Sequence, residues 1–187
     1  MKEEIDKALE VLKNGGVILY PTDTVWGLGC DATNADAVQR IYDIKQRSDS
    51  KSMIILLENE ARLNRYIKEV PDLAWDLIEL SEEPLTIVYP GATQLAPNAI
   101  ANDGTVAIRI TRDEFCSQLI RKFNKPIVST SANLSGEATP SLFRDISTEI
   151  KSKVDYIVNL RQNDQQKRKA STIIKLQLNG EITILRK

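Results

Sequence analysis

Val17-Ile18-Leu19-Tyr20-Pro21-Thr22-Asp23-Thr24-Val25-Trp26-Gly27-Leu28-Gly29 opens with four apolar residues and passes into hydroxyls, a carboxylate and two glycines. A short apolar run bounded by Asn14-Gly15-Gly16 and Pro21 reads as a buried strand, 17–20. Before it, Ile5, Ala8, Leu9 and Leu12 recur at helical spacing, so the chain opens with an amphipathic helix that stops at Asn14-Gly15-Gly16. Helix, stop, buried strand and polar loop is how an α/β fold begins, and loops at strand ends are where such folds keep their sites.

Beyond the loop 21–33, Asn34 is placed to cap a second helix with Ala37, Val38, Ile41, Tyr42 and Lys45 along one side. Further strands are predicted at 53–57, 85–89, 105–110, 126–129, 155–159, 171–178 and 182–185, with helical patterns at 58–67, 71–80, 113–123 and 141–150 and a Pro/Gly/Asn loop at 90–103. This alternation predicts an α/β sandwich around one mixed sheet. The last two strands meet at Asn179-Gly180, the two-residue signal of a type I′ hairpin, so that part is expected to be antiparallel. The stretch 161–169 has no apolar residue and four basic ones and reads as a mobile surface loop.

At 187 residues, against roughly 150 per domain, the chain is expected to form one domain, 1–187. The AVILMFWYC set makes up 42% and charged residues 27%, an ordinary globular composition. There is no histidine, which removes Ser-His-Asp, Cys-His and His-metal chemistry. The net charge of −1 offers no whole-molecule attraction to nucleic acid or acidic membranes. Cys30 and Cys116 fit no CxxC or zinc spacing and read as two reduced thiols. With no signal-like N-terminus and no apolar run near the ~20 residues that span a bilayer, a soluble cytoplasmic protein without membrane contact is expected.

Three constellations carry possible chemistry. The hydroxyls and glycines of 21–29 suit a polar small molecule, and equally suit a turn in which Thr and Asp satisfy local amides. Gly27-x-Gly29-x-x-Ala32 also matches a loose dinucleotide fingerprint, but Pro21 to Val25 separate it from the strand and the helix cap lies at Asn34. Lys45-Gln46-Arg47-Ser48-Asp49-Ser50-Lys51 gathers three cations at a helix end. They either favour the helix dipole or clamp phosphates. In Lys125-Pro126-Ile127-Val128-Ser129-Thr130-Ser131-Ala132-Asn133-Leu134-Ser135-Gly136, a buried strand runs out into four hydroxyls, an amide and a glycine. Turn chemistry explains about half of that density; adjacent strand ends would bring it to one rim with the first constellation.

Taken in order, the 21–29 loop, the Lys45-x-Arg47 pair and Ser131-x-Asn133 resemble the YrdC family, the bacterial threonylcarbamoyl-AMP synthases, over about 15–186 and in the short form. The resemblance implies a single-domain twisted α/β fold with a large concave basic cleft. It implies synthesis of threonylcarbamoyl-AMP (L-threonylcarbamoyladenylate) and pyrophosphate from L-threonine, bicarbonate and ATP with magnesium. The product would go on to modify tRNA next to the anticodon, through downstream tRNA threonylcarbamoyl-transfer proteins. It assigns Thr24, Leu56, Arg109, Ser129 and Ser171 to threonine, with Arg109 on the carboxylate. Arg47, Lys51, Thr105, Ser131, Asn133, Thr139 and Arg186 fall to the nucleotide, and Lys45 and Arg47 to charge neutralisation during transfer. The nucleophile would be a threonine carbamate, made from substrates, which accounts for a site without histidine. The stretch 161–169 is a candidate closing loop. Ser48 and Ser52 replace prolines usual in the family, implying a more flexible basic loop; Trp26 stands where Tyr is usual and keeps a flat wall. Two other readings stay open: an RNA-binding module, disfavoured by 5% aromatics and near-zero charge, and a carbamoyl-adenylate enzyme with another acceptor.

Overall fold

The computed structural model describes residues 1–46 and 53–187. Helix α1 (Lys2–Lys13) buries Ile5, Ala8 and Leu12 and delivers the chain to β1 (Ile18–Tyr20). After β2 (Gly27–Gly29), Asn34 caps α2 (Ala35–Lys45), its side chain accepting from the Asp36 and Ala37 amides at 3.0 and 3.2 Å. Next come β3 (Ile54–Leu57), α3 (Leu63–Tyr66), α4 (Leu73–Leu80), β4 (Leu85–Tyr89) and β5 (Val106–Ile110). Helix α5 (Glu114–Phe123) starts on Asp113, whose carboxylate accepts the Cys116 amide at 2.9 Å. The chain finishes with β6 (Ile127–Ser131), α6 (Thr148–Lys153), β7 (Tyr156–Ile157), β8 (Thr172–Leu176) and β9 (Ile182–Arg186).

The strands form one mixed sheet in the order β7-β1-β2-β6-β3-β5-β4-β8-β9. Its first face carries the larger core, where Leu19, Leu28, Ile55, Leu57, Ile108 and Val128 meet Val38, Ile41 and Tyr42 of α2. On the second face, Ile18, Tyr20, Leu56 and Ile127 pack against α1 and α5 through Ile5, Leu12, Phe115 and Leu119. Side chains alternate along a strand, so each register fixes which residues share the second face.

Four expectations need correction. Strand β2 lies inside the stretch read as one loop, because two of its three residues are glycines and carry no strand signal. They are glycines because the Tyr20 ring lies over them: a Cβ on Gly29 would sit 2.6 Å from Tyr20 Cε1 and 2.9 Å from the Val128 carbonyl oxygen. Strand β6 runs on to Ser131, since Thr130 and Ser131 pair with Leu28 and Gly27. The helix expected at 141–150 is broken into a 3₁₀ turn, Phe143–Asp145, and α6, with Ser147 capping the latter through the Ile150 amide at 3.3 Å. The β8–β9 hairpin is antiparallel but not type I′. Of its turn pair only Gly180 has a positive φ, 83°, and Gln177 pairs with Glu181, giving a three-residue loop with a glycine bulge.

Candidate active site

Direct partners across the central strands assemble the site. Gly27 lies opposite Ser131, Ile54 opposite Ser129, Leu56 opposite Arg109, and Arg109 opposite Thr86. All share the second face. Helices α1 and α5 cover Leu56 and Ile127, and beyond them the sheet opens into a cleft of about 240 Å³. Its walls include Thr24, Trp26, Ser129, Arg109, Ser171 and Arg186.

Arg109 dominates the floor. Its side chain is only 3% exposed, and Nη2 lies 3.1 Å from Asp23 Oδ1. That approach makes an ion pair without alignment for a hydrogen bond, so Nε, Nη2 and Asp23 Oδ1 all lack hydrogen-bond partners among the described residues. A buried guanidinium with N–H groups to spare is an anion receptor in waiting, since leaving such donors unpaired is costly. Across the cleft, Arg186 donates from Nε and Nη2 to the Ser171 carbonyl at 3.0 and 2.8 Å. Burial, and then the nearby charge of Arg109, hold the Arg186 pKa below its ordinary value. Two guanidiniums that repel each other across a gap favour an anion between them.

Hydroxyls ring this charge. Thr22 Oγ1 donates to the Val25 carbonyl at 2.8 Å and accepts the Thr24 amide at 2.9 Å, which fixes the loop. Its single proton is thereby used, so in the 3.0 Å contact between the two hydroxyls Thr24 is the donor, and Thr24 keeps its lone pairs for the cleft. Ser171 Oγ lies 2.7 Å from Thr86 Oγ1, both buried. Trp26 and Phe143 meet at 4.7 Å between ring centroids, tilted by 47°.

Thr24, Arg109, Ser129, Ser131, Thr139, Ser171 and Arg186 therefore come together in one cleft. Leu56 does not line it: the side chain lies beneath, in the core with Phe115 and Ile127. Thr105 is turned away, its amide and hydroxyl donating to Asp103 Oδ1 at 3.0 and 2.6 Å. That hydroxyl, with Lys175, holds the Asp103 carboxyl below the usual range. Asn133 donates through Nδ2 to the Leu134 and Glu137 carbonyls, both at 2.9 Å, and shapes the loop from beneath. Lys45 is buried, with Nζ donating to the Ser131 carbonyl and, at 2.7 Å, to that of Asn133. Its own carbonyl accepts the Ser135 amide at 2.8 Å. Lys45 thus staples the β6 loop to the end of α2. Arg47 and Lys51 lie outside the described residues.

Sequence reading gave Trp26 the part of a flat wall, and it does line the cleft; it passed over Met53, Ile54 and Ile173 as site residues, which also line it. The signal for the two isoleucines was period-2 alternation: Ile54 stands two residues from Leu56, and Ile173 two from Ser171. The stretch 161–169 is anchored at its start, where Arg161 Nη2 lies 2.8 Å from Asp113 Oδ2. Burial pushes the Cys30 and Cys116 thiols up, so neither offers a thiolate. No helix among the described residues is long and apolar enough to cross a membrane.

A family model described as "Telomere recombination" (Sua5_yciO_yrdC) matches residues 10–187. The chain belongs to the Sua5/YciO/YrdC family. Among its relatives in this family, the threonylcarbamoyl-AMP synthase of Pseudoalteromonas translucida (strain TAC 125) is 34% identical over 183 residues, 95% of each chain. The family fold is shared with the crystal structure of E. coli YciO, at a TM-score of 0.86 and 25% identity over 100% of this chain and 90% of that one. It is shared as well with P. abyssi Sua5 complexed with L-threonine, at 0.79 and 29%, over 92% of this chain and 50% of that one. The chain thus spans about half the length of Sua5.

Proposed function

We infer that this chain is a threonylcarbamoyl-AMP synthase, making threonylcarbamoyl-AMP and pyrophosphate from L-threonine, bicarbonate and ATP. The observation that carries the reading is the buried Arg109, whose Nε and Nη2 have no hydrogen-bond partner among the described residues, on the floor of a hydroxyl-ringed cleft. The kinship with threonylcarbamoyl-AMP synthases gives that cleft its substrate class.

In the proposed arrangement the threonine carboxylate meets the Arg109 fork, and Thr24, Ser129 and Ser171 surround the amino acid. Threonine's amine takes up bicarbonate carbon as a carbamate, releasing water. A carbamate oxygen then bonds to the α-phosphorus of ATP while the bond from that phosphorus to the bridging oxygen breaks and pyrophosphate leaves. The protein's work is to bring two anions together and offset their repulsion, a task of placement and charge. Arg186, Ser131 and Thr139 stand on the side of the cleft that would hold the nucleotide, with Trp26 as a flat wall. Lys45 acts through the loop it staples and is a positioning residue. Among the described residues no group of three or more acidic or thiol side chains could hold a metal without help from a substrate. Magnesium is written here as part of the substrate, Mg-ATP. Transfer of the product towards tRNA belongs to the same reading, with the receiving proteins left to experiment.

Binding of L-threonine to the folded state should raise the Tm in a saturable way, D-threonine should not, and mass spectrometry should find threonylcarbamoyl-AMP once bicarbonate and Mg-ATP are added. Stabilisation by ATP alone, with no adenylate formed, would overturn the assignment.

A further inference from the structure

We propose that the face formed by α4 and the first face of β4 and β5 is a docking groove for a partner protein that presents a segment of alternating basic and apolar side chains. This face lies back to back with the active cleft: Ile108 and Ile110 point into it from β5 while Arg109, between them, points the other way.

The sequence of α4, Leu-Ala-Trp-Asp-Leu-Ile-Glu-Leu, is apolar at six of eight positions, yet only Ala74 is buried. Leu80, at its end, is 78% exposed. Leu73, Trp75, Leu77 and Ile78 pack against the core but are only partly buried by it, and an apolar helix left half-covered marks a contact surface. Beside it are two hollows of about 220 and 560 Å³, contiguous because Ile78, Ile110 and Arg112 line both.

Charge specifies the occupant. The lining has six acidic residues, Asp23, Glu58, Glu60, Glu79, Glu82 and Glu83, against one basic residue, Arg112. Asp23 and Glu58 face Arg109 and Arg62. Among the described residues the other four make no ion pair, and Arg112 Nη2 is engaged by the Ile78 carbonyl at 3.1 Å. Glu58 adds an independent sign. Its side chain is 4% exposed; Oε1 takes Arg62 Nη1 at 2.7 Å, and Oε2 has no hydrogen-bond partner among the described residues. A buried carboxylate oxygen without a donor is costly, and a cationic N–H reaching in from a ligand removes that cost. Trp75 lines the same hollow, and an indole there is the side chain best suited to meet a cation.

The other occupants fit less well. Nucleic acid would bring phosphates to an acidic face. A small polyamine would leave the partly exposed Ile78 and Leu85 uncovered. A second copy could offer only its exposed edge strand β9, Ile182–Arg186, whose basic residues are confined to its end instead of alternating with the apolar ones.

The test is fluorescence anisotropy of a fluorescein-labelled peptide of alternating lysine and leucine, titrated with the full chain at low salt. We expect micromolar binding, weakened about tenfold or more by Glu79→Lys with Glu82→Lys, and similarly by Trp75→Ala. Reversing two carboxylates on the opposite side, Glu10→Lys with Glu114→Lys, should leave it unchanged, as should an acidic-peptide control that does not bind. Glu58→Gln adds a variant that keeps the shape and removes the charge. Failure of the peptide to bind would overturn the proposal. So would equal weakening by the opposite-side reversals, displacement by spermidine at peptide concentrations, or self-association of the chain abolished by Trp75→Ala.

Discussion

Arg109 has two neighbours to satisfy, Asp23 at its side and whatever enters the cleft above. Lysine at 109 keeps the charge beside Asp23 but loses the planar fork. Charge-assisted hydrogen bonds contribute about 1.5–3 kcal/mol, so Arg109→Lys should lower kcat/KM for threonine by about 10–100-fold, with circular dichroism unchanged. A threonine KM like that of the wild type would move the carboxylate elsewhere. Ser171 differs, because its hydroxyl is shared between the fold and the cleft. Ser171→Ala leaves the buried Thr86 hydroxyl without its 2.7 Å partner, and denaturant unfolding should register a loss of about 1–3 kcal/mol. An unchanged unfolding midpoint would show that water replaces Ser171 freely. Arg109 and Ser171 entered the sequence reading only through the family resemblance. That Ser171 is tied to Thr86, 85 residues earlier, was not legible, because the tie is made by sheet register.

At the scale of elements, β2 and the β6 loop explain where sequence reading fell short. Strand propensity is a property of side chains, and Gly27 and Gly29 have none; the large group that selects them, Tyr20, arrives across a register that appears only on folding. Gly29→Ala would force a methyl into the Tyr20 ring and the Val128 carbonyl. That overpacking should cost about 1–3 kcal/mol, measurable as a lower Tm, and an unaltered Tm would mean the ring moves aside at no cost. The basic run left Lys45 between helix dipole and phosphate, and the resemblance gave it charge neutralisation during transfer. In the fold its ammonium is buried and donates to two carbonyls of the neighbouring loop. Lys45→Met should therefore lower the Tm as well as raise the KM for ATP. A raised KM with an unshifted Tm would return Lys45 to direct substrate contact. The helix expected at 141–150 failed for a local reason: Ser147 is a better N-cap than a helix interior residue.

Across the whole molecule, the order of helices and strands was readable because apolar periodicity and turn residues are local, and it placed most of the elements. The cleft was readable only in part. It is defined by where α1 and α5 stop covering the sheet, a fact no single segment carries. Long-range ties also govern the response to acid. Asp155 accepts the Val17 amide at 2.7 Å and meets Arg40 at 2.8 and 3.0 Å, joining the approach to β7 with β1 and α2. Burial works against its ionisation, but Arg40 and Val17 outweigh it and hold the carboxyl below the usual range. A depressed folded-state pKa gives stability present above the unfolded value of about 3.9 and lost as pH falls through the folded one. Asp155→Asn should accordingly be less stable than wild type at neutral pH, the difference closing under acid conditions. A gap of the same size at both pH values would remove Asp155 from the acid response.

The central claim is that one cleft on the second face of the sheet joins a threonine carbamate to the α-phosphorus of ATP. Pyrophosphate release from Mg-ATP, measured with threonine and bicarbonate each omitted in turn, tests it most directly. The account predicts release only when both are present, and its loss in Arg109→Lys at low threonine. Release that is indifferent to threonine or to bicarbonate, or absent from a folded chain supplied with all three substrates, would contradict it.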